Sequence, residues 1–187
     1  MLSSEQHTFL SEVEIRPLTD SDDLDILTGL INTAYKKLAL QGFRYLGSHQ
    51  DTETTKRRIK KGQCFVATHN SKIIGTIIYY PPTNHSVNEW YNQSFVAGYG
   101  QFAVNPEFQN RGVGSMLISY VEQLAINDYA LEITIDTAEG ATALINYYTK
   151  KGYRFITYTQ WNETNYRSVL LSKKLDANSN ITPPQSS

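Results

Sequence analysis

Phe102-Ala103-Val104-Asn105-Pro106-Glu107-Phe108-Gln109-Asn110-Arg111-Gly112-Val113-Gly114-Ser115 is the stretch on which the fold of this 187-residue chain turns. It begins inside Phe95 to Val104, an apolar and aromatic run that reads as a strand and that Asn105-Pro106 closes. It ends inside Gly112 to Asn127, where Val113, Met116, Leu117, Tyr120, Val121 and Leu124 recur at helical spacing. The loop between them therefore hands a strand to a helix. The first turn of a helix carries unpaired backbone N–H groups and the positive end of the macrodipole, and both favour a phosphate. Gly112 and Gly114 lack a Cβ, so an anion can approach the backbone. Arg111 can add a charge-assisted contact and Ser115 a hydroxyl. Glycine inside a helix costs about 1 kcal/mol against alanine. Two glycines in one first turn need a reason: phosphate access supplies one, and a tight turn before a core helix is the alternative.

Upstream, Gln63 to Thr68 and Lys72 to Tyr80 read as strands joined at Asn70-Ser71 into a hairpin, which Pro81-Pro82 ends. Before them, Val13 to Pro17 reads as a short strand. Leu24 to about Leu40 reads as an amphipathic helix, with caps on offer in Thr19 to Asp22. A short charged helix follows, capped by Asp51 or Thr52 and running through Lys61. Downstream, Leu131 to Asp136 has the apolar character of a buried, parallel-type strand. Ala141 to Lys151 is a helix that Gly152 ends. Tyr153 to Tyr158 and Ser168 to Leu175 are the last strands. The order is strand, two helices, three strands, helix, strand, helix, two strands. It predicts a single α/β (α+β) domain over 1–175 with a mixed, mostly antiparallel sheet of about seven strands and helices on both faces. Residues 1–11 read as a loose leader and 176–187 as a disordered tail.

Seventeen Lys plus Arg against eighteen Asp plus Glu leave a net charge of −1, which gives no sign of a nucleic-acid or membrane-surface partner. The lone Cys64 excludes an intrachain disulfide, and it falls in a strand, where a small buried residue is expected rather than a nucleophile. The four histidines, at 7, 49, 69 and 85, are scattered, so no metal site is expected. No stretch reaches the roughly 20 apolar residues of a membrane helix. A soluble, cytoplasmic protein is the expectation.

Gln109, Gly112 and Gly114 fill the pattern Gln/Arg, two variable residues, Gly, one variable residue, Gly/Ala. In that pattern and in the strand before it, the chain resembles the GCN5-related N-acetyltransferase (GNAT) superfamily, and the element order matches from Val13 to Leu175. The resemblance implies acetyl-CoA as co-substrate, its pyrophosphate held by backbone N–H groups of Asn110 to Ser115. The pantetheine arm would lie along Phe102, Ala103 and Val104, whose backbone donors would polarise the thioester carbonyl. It also implies that this strand splays from the strand at Leu131 to Asp136, through a bulge that Gly98 or Gly100 could host. Tyr148, four residues before Gly152, matches the family tyrosine that protonates the leaving thiolate. Asn146 either reaches coenzyme A or lies on the surface, and Tyr147 packs or lines the cleft.

Amine acetylation needs a neutral amine. Family members often carry a Glu on the strand before the phosphate loop, whereas Phe95 to Phe102 holds no acid. Glu89, His85 and Asp136 are the carboxylate and imidazole candidates for the base. A water held by Gln101 or Tyr99 is the preferred alternative. The family's acceptor cleft falls on segments holding Phe43, Tyr45, His49, Tyr80, Trp90, Tyr91, Trp161 and Tyr166. These rings suit an apolar or cationic amine, or else stabilise loops or a homodimer interface. The expected activity is acetyl transfer from acetyl-CoA to a primary amine of a small molecule or peptide. A non-catalytic acyl-CoA-binding module of the same fold is the alternative. A nucleotide-binding domain is disfavoured, because the Walker lysine and the full dinucleotide glycine fingerprint are both missing.

Overall fold

A computed structural model of the protein describes residues 4–82, 86 and 88–176. One sheet of seven strands organises them, in the order β1-β2-β3-β4-β5-β7-β6. The strands are β1 (Glu14–Pro17), β2 (Gln63–His69), β3 (Lys72–Tyr80), β4 (Val96–Val104), β5 (Glu132–Ala138), β6 (Arg154–Gln160) and β7 (Arg167–Lys174). The mixed sheet expected from the sequence is the one observed: β4 and β5 pair in parallel and all other neighbours are antiparallel. The hairpin β2–β3 turns on Asn70 and Ser71, both left-handed at φ 49° and 61°, which suits a two-residue connection between twisted strands.

Helices cover both faces. On one face α2 (Leu24–Leu40) packs Leu27, Leu30 and Ile31 on Val66 and Ala103, next to α3 (Thr52–Ile59). On the other face α4 (Val113–Asn127) buries Val113, Leu117, Ile118, Val121 and Ala125 beside α5 (Thr142–Lys150). Each such aliphatic side chain gives roughly 1.5–3 kcal/mol when it leaves water. The caps follow the sequence closely. Asp23 accepts from the amides of Asp25 and Ile26 at the start of α2, one residue past the expected caps. Asp51 accepts from Thr54 at the start of α3.

The leader departs from expectation. Ser4–Ser11 forms a helix, α1. Phe9 is buried against His69 and Phe108, with ring centroids 5.0 and 6.0 Å away. Leu10 lies over Gly112. A polar segment with one apolar pair has no helical period to read, and its order comes from what that pair covers. The tail expected at 176–187 lies, but for Asp176, outside the described residues. Among the described residues no helix is long and apolar enough to cross a membrane.

Candidate active site

The sheet is forked at its centre. β4 and β5 pair only through Val96, Ala97 and Gly98 opposite Glu132, Ile133 and Thr134. Beyond that point β4 continues along β3 and β5 along β7. The bulge that bends β4 away lies at Gln101-Phe102, where two residues intervene between Gly100 and Ala103 while Ile77 alone intervenes on β3. Gln101 adopts φ 45°, a left-handed conformation uncommon outside glycine. The bulge is therefore not hosted by Gly98 or Gly100, as the sequence suggested. Those glycines make room instead. A Cβ at Gly98 would meet the Tyr91 ring at 3.0 Å, and one at Gly100 the Tyr80 ring at 3.3 Å.

At one end of the fork β4 runs into the glycine loop. Asn105 caps a 3-10 turn, Pro106–Phe108, by accepting from the Glu107 amide. Gln109 donates its side-chain amide to the Val104 carbonyl at 3.0 Å and so closes the loop on the strand. Asn110 and Gly112 are left-handed, at φ 60° and 99°. Gly112 opens α4 without a side-chain cap, and the helix ladder begins with the Met116 amide donating to the Gly112 carbonyl. The amides of Val113, Gly114 and Ser115 precede that first bond and form the helix's donor end. The Gly114 position is tight, with the Phe102 ring 3.0 Å and the Tyr147 hydroxyl 3.3 Å from where a Cβ would sit. The Val113 side chain belongs to the core, so only its backbone faces the loop. Two side chains already have partners. The Arg111 guanidinium lies 3.6 Å over the Phe9 ring, and Ser115 accepts from Lys151 Nζ at 2.8 Å. Burial pushes the Lys151 pKa down.

On α5, Tyr148 is buried and ringed by Tyr147 and Tyr153 at 5.4 and 5.8 Å. Burial raises its pKa well above 10, so the phenol keeps its proton. Asn146, on the same helix, is exposed.

On the α2 face the free edge of β5 is dressed by side chains from distant segments. Tyr45 accepts from the Ala138 amide at 2.9 Å and shares a hydrogen bond with Thr137. Trp90 donates to Thr134 Oγ1. Asp136 accepts from Trp161 Nε1 at 2.9 Å and from the Tyr91 hydroxyl at 3.4 Å. Burial raises the pKa of Asp136, against the hydrogen bonds of Trp161, Ser168 and Tyr91 and the charge of Arg58. Tyr35, Tyr45, Tyr166 and Phe43 form a continuous ring cluster with centroid spacings of 4.8–6.4 Å. The Tyr35 hydroxyl is pushed up to about 12 by burial.

Of the residues expected on the acceptor side, Phe43, Tyr45 and Tyr166 meet in one cluster, Tyr91 and Trp161 meet on Asp136, and Tyr80 lies over Gly100. His49 is exposed and pairs with Ser48. Glu89 is exposed, and His85 lies outside the described residues. Tyr35 and Arg58 were missed, because each sits on a helix where sequence offers only periodicity. Cys64 is half-buried in β2, and burial lifts its thiol to about 11, which suits a packing residue. Among the described residues no group of three His, Cys, Asp or Glu gathers as a metal site would.

The forked sheet with a donor-rich helix start defines an acyl-CoA-dependent transferase, and comparison with known proteins agrees. The model of the acetyltransferase (GNAT) family matches residues 31–153. The chain is 27% identical over 136 residues to the S-(2-succino)cysteine N-acetyltransferase of Bacillus subtilis (strain 168), covering 70% of this chain and 78% of that protein. It is 25% identical over 150 residues to the S-alkylcysteine N-acetyltransferase of the same organism, covering 75% and 78%. A solved GNAT family acetyltransferase from Elizabethkingia anophelis with acetyl-CoA bound superposes with a TM-score of 0.63 at 21% identity, over 88% of this chain and 99% of that one. The chain belongs to the acetyltransferase (GNAT) family. It is an acyltransferase, an N-acetyltransferase that draws its acetyl group from acetyl-CoA.

Proposed function

We propose that this enzyme acetylates the amino group of a small amino acid seated in the aromatic cleft, with Asp136 as the base and Tyr148 as the acid. The fork carries this reading. The pairing of β4 and β5 stops beyond Gly98 and Thr134, with the buried Tyr148 phenol on the α5 side and the Asp136 carboxylate on the α2 face.

The pyrophosphate of acetyl-CoA would take the amides of Asn110 to Ser115, and Gln109 keeps that loop in shape through Val104. Arg111 would leave Phe9 to reach the anion, or remain there and stiffen the loop. Phe102, Ala103 and Val104 border the gap through which the pantetheine arm passes, and Asn146 stands on the solvent side of α5. Asp136 takes a proton from the acceptor ammonium. The neutral amine attacks the thioester carbonyl, and the carbon–sulfur bond breaks. The thiolate takes the Tyr148 proton, and the second amine proton restores the phenol. The N-acetylated acceptor, free coenzyme A thiol and one proton released through Asp136 balance the reaction. A raised carboxylate pKa makes Asp136 a stronger base than a solvated aspartate, and a raised phenol pKa keeps Tyr148 charged with its proton. This reading assigns to Asp136 the role expected from the sequence for a water held by Gln101 or Tyr99.

Two relatives act on cysteines carrying a substituent on sulfur. A ring-lined cleft suits such a thioether arm. The test is thiol release from acetyl-CoA in the presence of S-methylcysteine, a lysine-containing peptide or a peptide with a free N-terminus. Release with S-methylcysteine above both peptides is expected. Release with a peptide alone overturns the small-acceptor reading, and no release with any amine leaves a non-catalytic acyl-CoA-binding module.

A further inference from the structure

Arg58, in the last turn of α3, is half-buried, whereas Arg44, Arg57 and Arg111, which also form no ion pair among the described residues, are exposed. Arg16, Arg154 and Arg167 each form an ion pair, with Asp22, Glu132 and Glu139 at 2.6–2.7 Å. Arg58 is half-buried and forms no ion pair with a carboxylate among the described residues. It donates to a neutral group, Gln50 Oε1, at 2.5 Å. Through Gln50 it reaches Gln101, next to Gly100 under the Tyr80 ring, and its charge acts on Asp136, Tyr35, Tyr80 and Tyr166 of the aromatic cluster.

The hydrogen bonds behind Arg58 fix the orientation of two buried amides. A guanidinium can only donate, so the Gln50 oxygen must face Arg58. The Gln50 nitrogen then donates to Thr55 Oγ1 at 2.7 Å and to Gln101 Oε1 at 3.3 Å. Gln101 must therefore turn its own nitrogen away from Gln50. That nitrogen is buried and has no acceptor, although Gln101 is only 2% exposed. An orphaned buried donor costs about 1–3 kcal/mol. It sits on the bulge residue that opens the fork, on a side chain linked through Gln50 to an arginine with no anion. Among the described residues the amide nitrogen lacks an acceptor and the guanidinium lacks a counter-charge.

We propose that Arg58, with Gln50 and Gln101 behind it, forms an anion subsite that reads a carboxylate on the acceptor, so the preferred substrate is an amine that also carries a carboxylate. This rests on the acetyl-transfer reading above and names what that cleft selects. Asp136 draws the ammonium, Arg58 draws the carboxylate borne by the same carbon, and the rings of Tyr35, Tyr45, Tyr91 and Tyr166 take the apolar arm. Two protein charges of opposite sign orient the ammonium and carboxylate of a zwitterion and reject an amine of the same shape without its acid group. Burial among the rings keeps both attractions from being screened away.

Three matched acceptors test this: S-methylcysteine, its carboxamide, and the amine lacking the carboxyl group. Thiol release would be followed with the wild-type enzyme and with Arg58→Gln and Arg58→Lys. The wild type is expected to prefer the acid over its carboxamide by about ten- to a hundredfold in kcat/KM, mainly through KM, the range of a charged hydrogen bond. Arg58→Gln should bring that ratio close to one, and Arg58→Lys should restore part of it. Acetyl-CoA titration of each variant checks that the fold survives. Equal use of acid and carboxamide by the wild type overturns the anion subsite but leaves acetyl transfer standing. A preference that survives Arg58→Gln overturns the assignment to this residue. No thiol release from any of the three overturns the small-acceptor reading and the subsite with it.

Discussion

The two ends of the fork are built in opposite ways. The end proposed for the cofactor is one continuous segment, Asn105 to Ser115, and what it offers is backbone: amides at the start of α4, two left-handed residues, and a glutamine that ties the loop to its own strand. The acceptor end is assembled from side chains of α2, the loop before α3, α3 itself, the segment before β4, and the turn before β7. Its main-chain contribution is small, since Tyr45 takes over the Ala138 amide that the missing β4 partner leaves free. A site made of local backbone is insensitive to which side chains decorate it, while a site made of distant side chains can be retuned one residue at a time. That fits a shared cofactor and a variable acceptor.

The largest way to break this contrast is at the carboxylate. Asp136→Asn should lower kcat/KM by about 10²- to 10³-fold, the usual range for losing a general base, with little change in acetyl-CoA affinity. The pH profile carries the sign. Burial holds the Asp136 pKa above its ordinary 3.8, so wild-type kcat/KM should fall as pH drops through that raised value, and the variant should lose this acid limb. The same shift means that the folded protein binds this proton more tightly than the unfolded chain. Its stabilising contribution is complete below the unfolded pKa and is lost as pH rises through the folded one. Acid activity loss without a matching stability loss therefore separates chemistry from unfolding.

Tyr148→Phe comes next, with kcat reduced about 10²-fold as for a missing general acid. Since burial lifts the phenol well above 10, the wild type should show no alkaline limb from this group below pH 10. Smaller effects sharpen the contrast by falling on one side each. Gly114→Ala meets Phe102 and Tyr147 and should weaken acetyl-CoA binding about tenfold, leaving the acceptor KM nearly unchanged. Gly98→Ala presses on Tyr91 and should raise the acceptor KM by roughly threefold, with acetyl-CoA affinity preserved. Isothermal titration and initial rates read both, and crossed effects would show the two ends to be one site.

The same contrast explains what the sequence could disclose. The loop and its helix were legible because turn chemistry, helix period and glycine placement all act within a dozen neighbouring residues. Tyr148 drew attention through its spacing to Gly152, and the structure buries it on α5. The bulge at Gln101 was not, because a glutamine at positive φ carries no local signal, while Gly98 and Gly100 advertised a freedom they use for ring clearance instead. Arg58 looked like one more charge on an exposed helix, since only the folded sheet brings Gln50 and Gln101 behind it. Asp136 looked like a strand end until Trp161 and Tyr91 closed over it. The helix at Ser4–Ser11 escaped notice because its order depends on the phosphate loop it covers.

The measurement that bears most directly on the account follows backbone amide resonances during titration with acetyl-CoA. The amides of Asn110 to Ser115 should shift together and saturably, and they should do so in Asp136→Asn and Arg58→Gln as in the wild type. Saturable binding that leaves those six amides unmoved would mean that the diphosphate sits elsewhere and that the fork is not the acyl site.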